Sequence, residues 1–211
     1  MSSARIDKVV VPGVFSLDGE DFDVENNVWL VGDDDEVLVI DAPHDAAPIV
    51  AAVGGRRVTA IVLTHGHNDH ITAAPALREA TGAPIWFNSA DRMLWDMVHG
   101  DGGREGGAAQ PDRDLQPGTR FTVAGTGLVA LHTPGHSPGS TCLHAADLNT
   151  VFTGDTLFCG GPGATGRSFS DHPTILNSIR SQLFSLHGDT VVRTGHGDDT
   201  TIAAEFRGIG G

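Results

Sequence analysis

The sequence predicts an α/β chain folded as an αβ/βα four-layer sandwich, two mixed sheets face to face with helices outside, and three observations predict it. Short apolar runs alternate with clusters of Gly, Pro, Asp and Asn, the punctuation of strands and turns. The runs fall into two β-rich halves with helical stretches among them, and helices on sheets bury both partners' apolar faces. Imidazole and carboxylate side chains follow strand-like runs in both halves, which predicts a shared cleft along one edge of the sandwich. With 211 residues, 39% hydrophobic content and 28 glycines, the chain is expected to form one domain over 1–211 with a full core and many turns.

The elements follow in order. Residues 6–11, 28–31 and 37–40 are Val- and Ile-rich runs that read as strands, the last two joined by Gly32-Asp33-Asp34-Asp35-Glu36 as a solvated hairpin turn. Helices are expected at about 45–53 and 71–81. Pro84 to Phe87 reads as a short strand, and Ser89 to Val98 as a helix that Asn88 or Ser89 can cap. Gly100 to Asp114 reads as a loop, long enough to be either a lid or an inert surface excursion. The second half offers strands at 121–124, 128–131, 141–145 and 151–153, a helix near 173–184 and a strand at 190–193.

The run Ala60-Ile61-Val62-Leu63 leads directly into Thr64-His65-Gly66-His67-Asn68-Asp69-His70, three imidazoles and a carboxylate within six positions. Neutral imidazole and carboxylate oxygen are ligands that Zn²⁺ and neighbouring transition metals take. His65 and His67 alternate on one side of an extended segment, whereas Asp69 and His70 follow a turn, so two groups of ligands diverge toward two ions. Two ions need further ligands, and His136, Asp155 and His196 each follow a strand-like run and are bracketed by Gly or Pro. Asp41, which ends Val37-Leu38-Val39-Ile40, is expected to hydrogen-bond a ligand imidazole. His44 is given a capping or exposed role ahead of an approach to the cleft, and Cys159, four residues after Asp155, that of a packed thiol ahead of a place beside the metals.

These residues resemble the metallo-β-lactamase fold superfamily, matching its His-x-His-x-Asp-His motif at positions 65 to 70 and its later His, Asp and His at 136, 155 and 196. Within it, His-Thr-Pro-Gly-His-Ser-Pro-Gly-Ser (132 to 140), Gly-Asp-Thr-Leu-Phe (154 to 158), Gly-Arg (166 to 167) and Gly-His-Gly followed by Thr-Thr-Ile (195 to 202) are most similar to the glyoxalase II-like thioester hydrolases. The similarity runs from about residue 24 to residue 205.

The resemblance implies that His65, His67 and His136 hold a first metal, that Asp69, His70 and His196 hold a second, and that Asp155 bridges them. It implies two divalent ions per chain, Zn²⁺ foremost with Fe or Mn tolerated by the same ligands. Such a pair lowers the pKa of a shared water from ~15.7 toward ~7, and the resulting metal-bound hydroxide is expected to attack the thioester of a small thiol carrier while Asp69 orients it. A thiolate leaves without a proton, so no separate general acid is required. Arg167 matches the family's Gly-Arg position and either meets a substrate carboxylate or makes a structural salt bridge. Two departures qualify the carry-over: the helical domain that helps glyoxalase II hold glutathione has no counterpart in the about fifteen residues after His196, and Ile71-Thr72-Ala73-Ala74 replaces a Gly-containing pair.

Rival readings are ranked by what they require. A β-lactamase of the commonest zinc class carries Cys where Asp155 stands, and lactone-cleaving relatives use a tyrosine where this chain has Tyr 0. The electron-transferring diiron relatives place Glu at position 67 and add a flavin domain. A persulfide dioxygenase, holding one iron with His65, His136 and Asp155, is the alternative, and a non-catalytic metal-binding module the remote one. A net charge of −14 with Lys8 as the sole lysine disfavours nucleic acid. Neither an apolar leader nor ~18 consecutive apolar residues occur, and two cysteines build no disulfide framework; a cytoplasmic protein acting on a small molecule, away from membranes, is expected.

Overall fold

The structure, a computed structural model, describes residues 4–100 and 110–209. The first half runs β1 (Arg5–Leu17), β2 (Glu20–Gly32), β3 (Glu36–Ile40), α1 (Ala46–Val53), β4 (Arg57–Val62), α2 (Asn68–Ile71), α3 (Ala74–Thr81), β5 (Ile85–Phe87), α4 (Arg92–His99) and β6 (Arg113–Asp114). The second runs β7 (Arg120–Val123), β8 (Thr126–His132), β9 (Thr141–Ala145), β10 (Thr150–Gly154), β11 (Leu157–Phe158), β12 (Gly161–Pro162), α5 (His172–Ser178), β13 (Val191–Thr194), β14 (Thr200–Thr201) and α6 (Ile202–Ile209). The strands form two six-stranded sheets, ordered β1-β2-β3-β4-β5-β6 and β14-β13-β10-β9-β8-β7, with β11 and β12 as a separate pair. Both large sheets are mixed: β3 to β6 run parallel beside the antiparallel β1-β2-β3, and β13 is parallel to β10 in an otherwise antiparallel sheet.

Alternation along the strands builds the four layers. On β2, Val28 and Leu30 face the helices while Trp29 and Val31 face the other sheet; on β3, Val37 and Val39 do the first and Leu38 and Ile40 the second. Successive side chains point to opposite faces, so strands covered on both sides read as unbroken apolar runs. Ile49 and Val53 of α1, Leu77 of α3 and Trp95 of α4 cover the first sheet. Ile175 of α5 and Ile202 of α6 cover the second, over Val151 and Val192. Between the sheets Trp29, Phe121 and Phe152 fill the central layer. This is the αβ/βα sandwich that the sequence predicts.

Several boundaries differ from expectation. β1 and β2 are far longer than 6–11 and 28–31, forming a 13-residue hairpin pair in which the outer half of β2 is mostly polar and exposed. Its turn, Asp18-Gly19, has φ of 55 and 78, the left-handed pair of a primed hairpin turn. The helix expected over 71–81 is broken into α2 and α3 at Thr72-Ala73. Residues 179–183 continue α5 as a π-helical turn. Of the Gly100 to Asp114 loop, 101–109 lie outside the described residues, and Arg113–Asp114 is a strand paired with β5 instead of loop.

Candidate metal centre

All seven predicted ligands stand at one end of the sandwich. β4 ends at Val62 and delivers His65; His67 precedes α2, whose first turn carries Asp69 and His70. His136 lies between β8 and β9, Asp155 follows β10, and His196 follows β13. A backbone bond from Thr141 N to Thr64 O (2.8 Å) ties the loops of the two sheets together.

The seven side chains form two triads around Asp155. In one, Nδ1 of His67 lies 3.1 Å from Nε2 of His65 and 2.9 Å from Nε2 of His136. In the other, Nε2 of His196 lies 3.3 Å from Nε2 of His70 and 3.2 Å from Oδ2 of Asp69. Asp155 joins them: Oδ1 is 3.3 Å from His70 Nε2, and Oδ2 is 3.4 Å from His196 and 3.7 Å from His136. Donors set tetrahedrally around one ion at roughly 2.0–2.1 Å stand about 3.3 Å apart, close to the spacings in both triads. Buried Asp155 Oδ1 lacks a hydrogen-bond partner, a cost that a cation would remove. The His/Asp clusters therefore fit a metal-binding site.

Outer hydrogen bonds aim these ligands. His136 Nδ1 donates to Ala164 O and His196 Nδ1 to Glu25 O, both at 2.9 Å, so each turns an Nε2 lone pair inward. Asp41 accepts from His70 Nδ1 (2.8 Å), from Thr64 N (2.7 Å) and from Thr64 Oγ1 (2.9 Å), and that hydroxyl in turn faces His65 Nδ1 (3.1 Å). One carboxylate thus reaches an imidazole in each triad, His70 directly and His65 through the Thr64 hydroxyl.

The triads differ in proton affinity. Burial, reinforced by neighbouring imidazoles, holds His65 well below 6.5 and His67 at about 3. Burial also opposes charge on His70 and His196, but Asp155 and Asp69 outweigh it, raising His70 well above 6.5 and His196 to about 10. Reciprocally, despite burial, His70 lowers Asp69 to about 2, and His70 and His196 hold Asp155 well below its usual range.

Sequence reasoning missed three residues. Asn26, fully buried on β2, donates from Nδ2 to Asp69 Oδ2 (3.0 Å), and its Oδ1 is 2.8 Å from His44 Nε2. His44 is consequently neither a cap nor exposed; it is half-buried against the second triad's brace. Asn68 clamps β1 by donating to Val14 O (2.8 Å) and accepting from Ser16 N (2.9 Å). Asp91 accepts from Gly66 N (2.8 Å), Ser137 Oγ (2.6 Å) and Gly139 N (2.6 Å), pinning the loops that bear His65 and His136. The detectable signal was Gly66, where a Cβ would lie 3.0 Å from Asp91 Cβ and 2.8 Å from Leu94 Cβ. Cys159 is exposed, contrary to the packed thiol expected, because it sits in the short turn between β11 and β12; Cys142 is the buried one.

A cavity of about 990 Å³ opens over the centre. His67, Asp69, His136, Asp155 and His196 line its floor, the β1-β2 hairpin one wall, and Phe158, Ala164 and Arg167 the other. Arg167 is spent on structure: it pairs with Glu20 (2.6 Å) and lies 4.8 Å over the Phe22 ring, while Ser168 N donates to Asp18 Oδ2 (3.0 Å). Of the two roles open to Arg167, the salt bridge is the one seen.

Comparison with known proteins agrees with this architecture. The metallo-beta-lactamase superfamily pattern matches residues 22–196. Hydroxyacylglutathione hydrolase GloC of Haemophilus influenzae is 34% identical over 192 residues, 87% of this chain and 91% of that protein. The BLEG-1 B3 metallo-beta-lactamase structure superposes with a TM-score of 0.77 at 29% identity, covering 93% of this chain and 97% of that one. TTHA1623, solved in a di-iron-bound form, gives 0.76 at 30% identity over 94% and 98%. The chain belongs to the metallo-beta-lactamase superfamily, as a glyoxalase II-like hydrolase within it.

Proposed function

We propose that this protein is a binuclear metal-dependent thioester hydrolase acting on a small molecule. The observation that carries the reading is the pair of triads sharing Asp155 at the floor of an open cavity. His65, His67 and His136 would hold one divalent ion, Asp69, His70 and His196 the other, with Asp155 between them; zinc suits these donors, as do iron and manganese. Bound there, the ions would supply an acidified water and Lewis-acid polarisation of a carbonyl oxygen. The di-iron form of TTHA1623 supports two ions, and the likeness to GloC supports a thioester.

The chain's own groups do the positioning. Asn26 holds Asp69 Oδ2, which leaves Oδ1 unpartnered and able to accept a proton of the attacking water. That fixes the direction of the water's lone pair toward the carbonyl. A thiolate departs without protonation, consistent with a cavity whose floor offers ligands but no further acid. No helix among the described residues is long and apolar enough to cross a membrane.

The test is metal content per chain, measured together with thioester hydrolysis, oxygen uptake on a persulfide and hydrolysis of a β-lactam. Asp155 argues only against lactamases that carry Cys there, so the β-lactam belongs in the panel. Two ions with thioester turnover, abolished by His67→Ala, is the expected result. One iron with oxygen uptake would replace this reading by a dioxygenase, and full loading without turnover by a binding module.

A further inference from the structure

We infer that the cavity selects thioesters with an apolar acyl group on an uncharged or cationic thiol carrier and discriminates against anionic carriers. This rests on the thioester reading above and adds the substrate class. The hairpin wall carries apolar surface: Phe15, whose ring lies 5.2 Å from that of His67, is the cross-strand partner of Phe22 with ring centroids 6.1 Å apart, and Val14 and Phe22 remain 39% and 40% exposed. Phe158 faces them from the opposite wall. Exposed aromatic surface inside a cavity is the feature that an apolar acyl group would cover.

The rim is acidic. Asp23 and Glu25 line the cavity, and Asp18, Glu20 and Asp21 continue the charge to the hairpin tip. Arg167 is the sole Lys or Arg among the described lining residues, and its guanidinium is already paired with Glu20 and stacked on Phe22. A carrier carboxylate would therefore meet Asp23 and Glu25 without a free cation to receive it. Ions at the floor would attract any anion, but the reacting carbonyl occupies that place; the carrier then lies along the rim, where the carboxylates decide. Two such charges at a few ångströms in a water-like medium amount to roughly tenfold in rate constant.

The test compares phenylacetyl thioesters of glutathione (net negative), N-acetylcysteamine (neutral) and thiocholine (cationic) on the metal-loaded enzyme. The neutral and cationic substrates should exceed the glutathione thioester at least about tenfold in kcat/KM at low salt, with the gap shrinking as salt screens the rim. Asp23→Asn with Glu25→Gln should close most of the gap, raising the glutathione value and lowering the thiocholine value. The non-hydrolysable thioether of each carrier, titrated by calorimetry into the metal-free protein, should bind in the same order, a readout independent of turnover. A glutathione thioester that matches or beats the neutral one, or an unchanged gap in the double variant, would overturn the inference while leaving the hydrolase reading intact. Absence of turnover on all three would overturn the hydrolase reading, and the order of thioether binding would then still decide the rim's preference.

Discussion

At the scale of single residues, the two triads hold different numbers of protons before any metal arrives. Near neutral pH His65 and His67 are neutral, whereas His70 and His196 carry protons that the Asp155 and Asp69 carboxylates stabilise. Because a metal needs the unprotonated lone pair, loading the second triad must expel two protons, and His65 and His67 release none. The second ion's affinity should climb with pH above neutrality more steeply than the first ion's. Calorimetry in buffers of different ionisation enthalpy reads the difference; equal proton release at both sites would contradict it. The sign for stability is the reverse: the raised values favour the metal-free fold fully below the unfolded 6.5, and that support fades as pH rises through about 10.

The seven residues that gather at the centre were legible because four stand together in the 65–70 run after β4 and the other three each follow a strand-like run punctuated with Gly or Pro. Asn26, Asn68 and Asp91 were not, since their partners lie far off: Asn26 meets Asp69 and His196 across 43 and 170 positions. Gly66, crowded by Asp91, was the one local mark, and Asn26 and Asn68 had none.

At the scale of elements, the central strands were legible and the peripheral ones were not. β2 and β3 are buried on both faces, and unbroken apolar runs announce that. The outer halves of β1 and β2 pair only with each other; Pro12-Gly13 interrupts the one and Asp and Glu fill the other, so both resemble a turn region in sequence, and the Asp18-Gly19 turn was the overlooked hairpin signal. β11, β12 and β14 have two residues each, below any periodicity. The break between α2 and α3 serves the site, because it lets Asp69 and His70 project from a separate turn while Leu77 still packs on the sheet.

Asp91 is the joint between elements. It gathers three donors from two loops, and burial raises its pKa, so it bears a desolvation cost that these bonds offset. Asp91→Ala should leave Gly66 N, Ser137 Oγ and Gly139 N without this acceptor, a loss of about 2–4 kcal/mol. Urea denaturation of the metal-free protein checks it, with weaker metal binding at the His65, His67 and His136 triad as the companion result; unchanged stability and affinity would mean that water replaces the carboxylate.

At the scale of the molecule, the centre and the cores are separable. Three apolar clusters hold the layers together: helices on the first sheet, sheet on sheet, and helices on the second sheet. The ligands stand at the strand ends beyond them, so removing metal should not unfold the chain. It should instead restore like-charge strain between Asp69 and Asp155 and withdraw the binding energy of the ions, which acts on the folded state alone. An ion present at about a thousand times its Kd contributes roughly 4 kcal/mol, and for a chain of this size each kcal/mol shifts Tm by about 2–4 °C. Chelation should thus keep the far-ultraviolet circular dichroism at 25 °C while lowering Tm by roughly 8–16 °C per ion. Loss of secondary structure on chelation would mean that the centre, and not the three cores, holds the two sheets together.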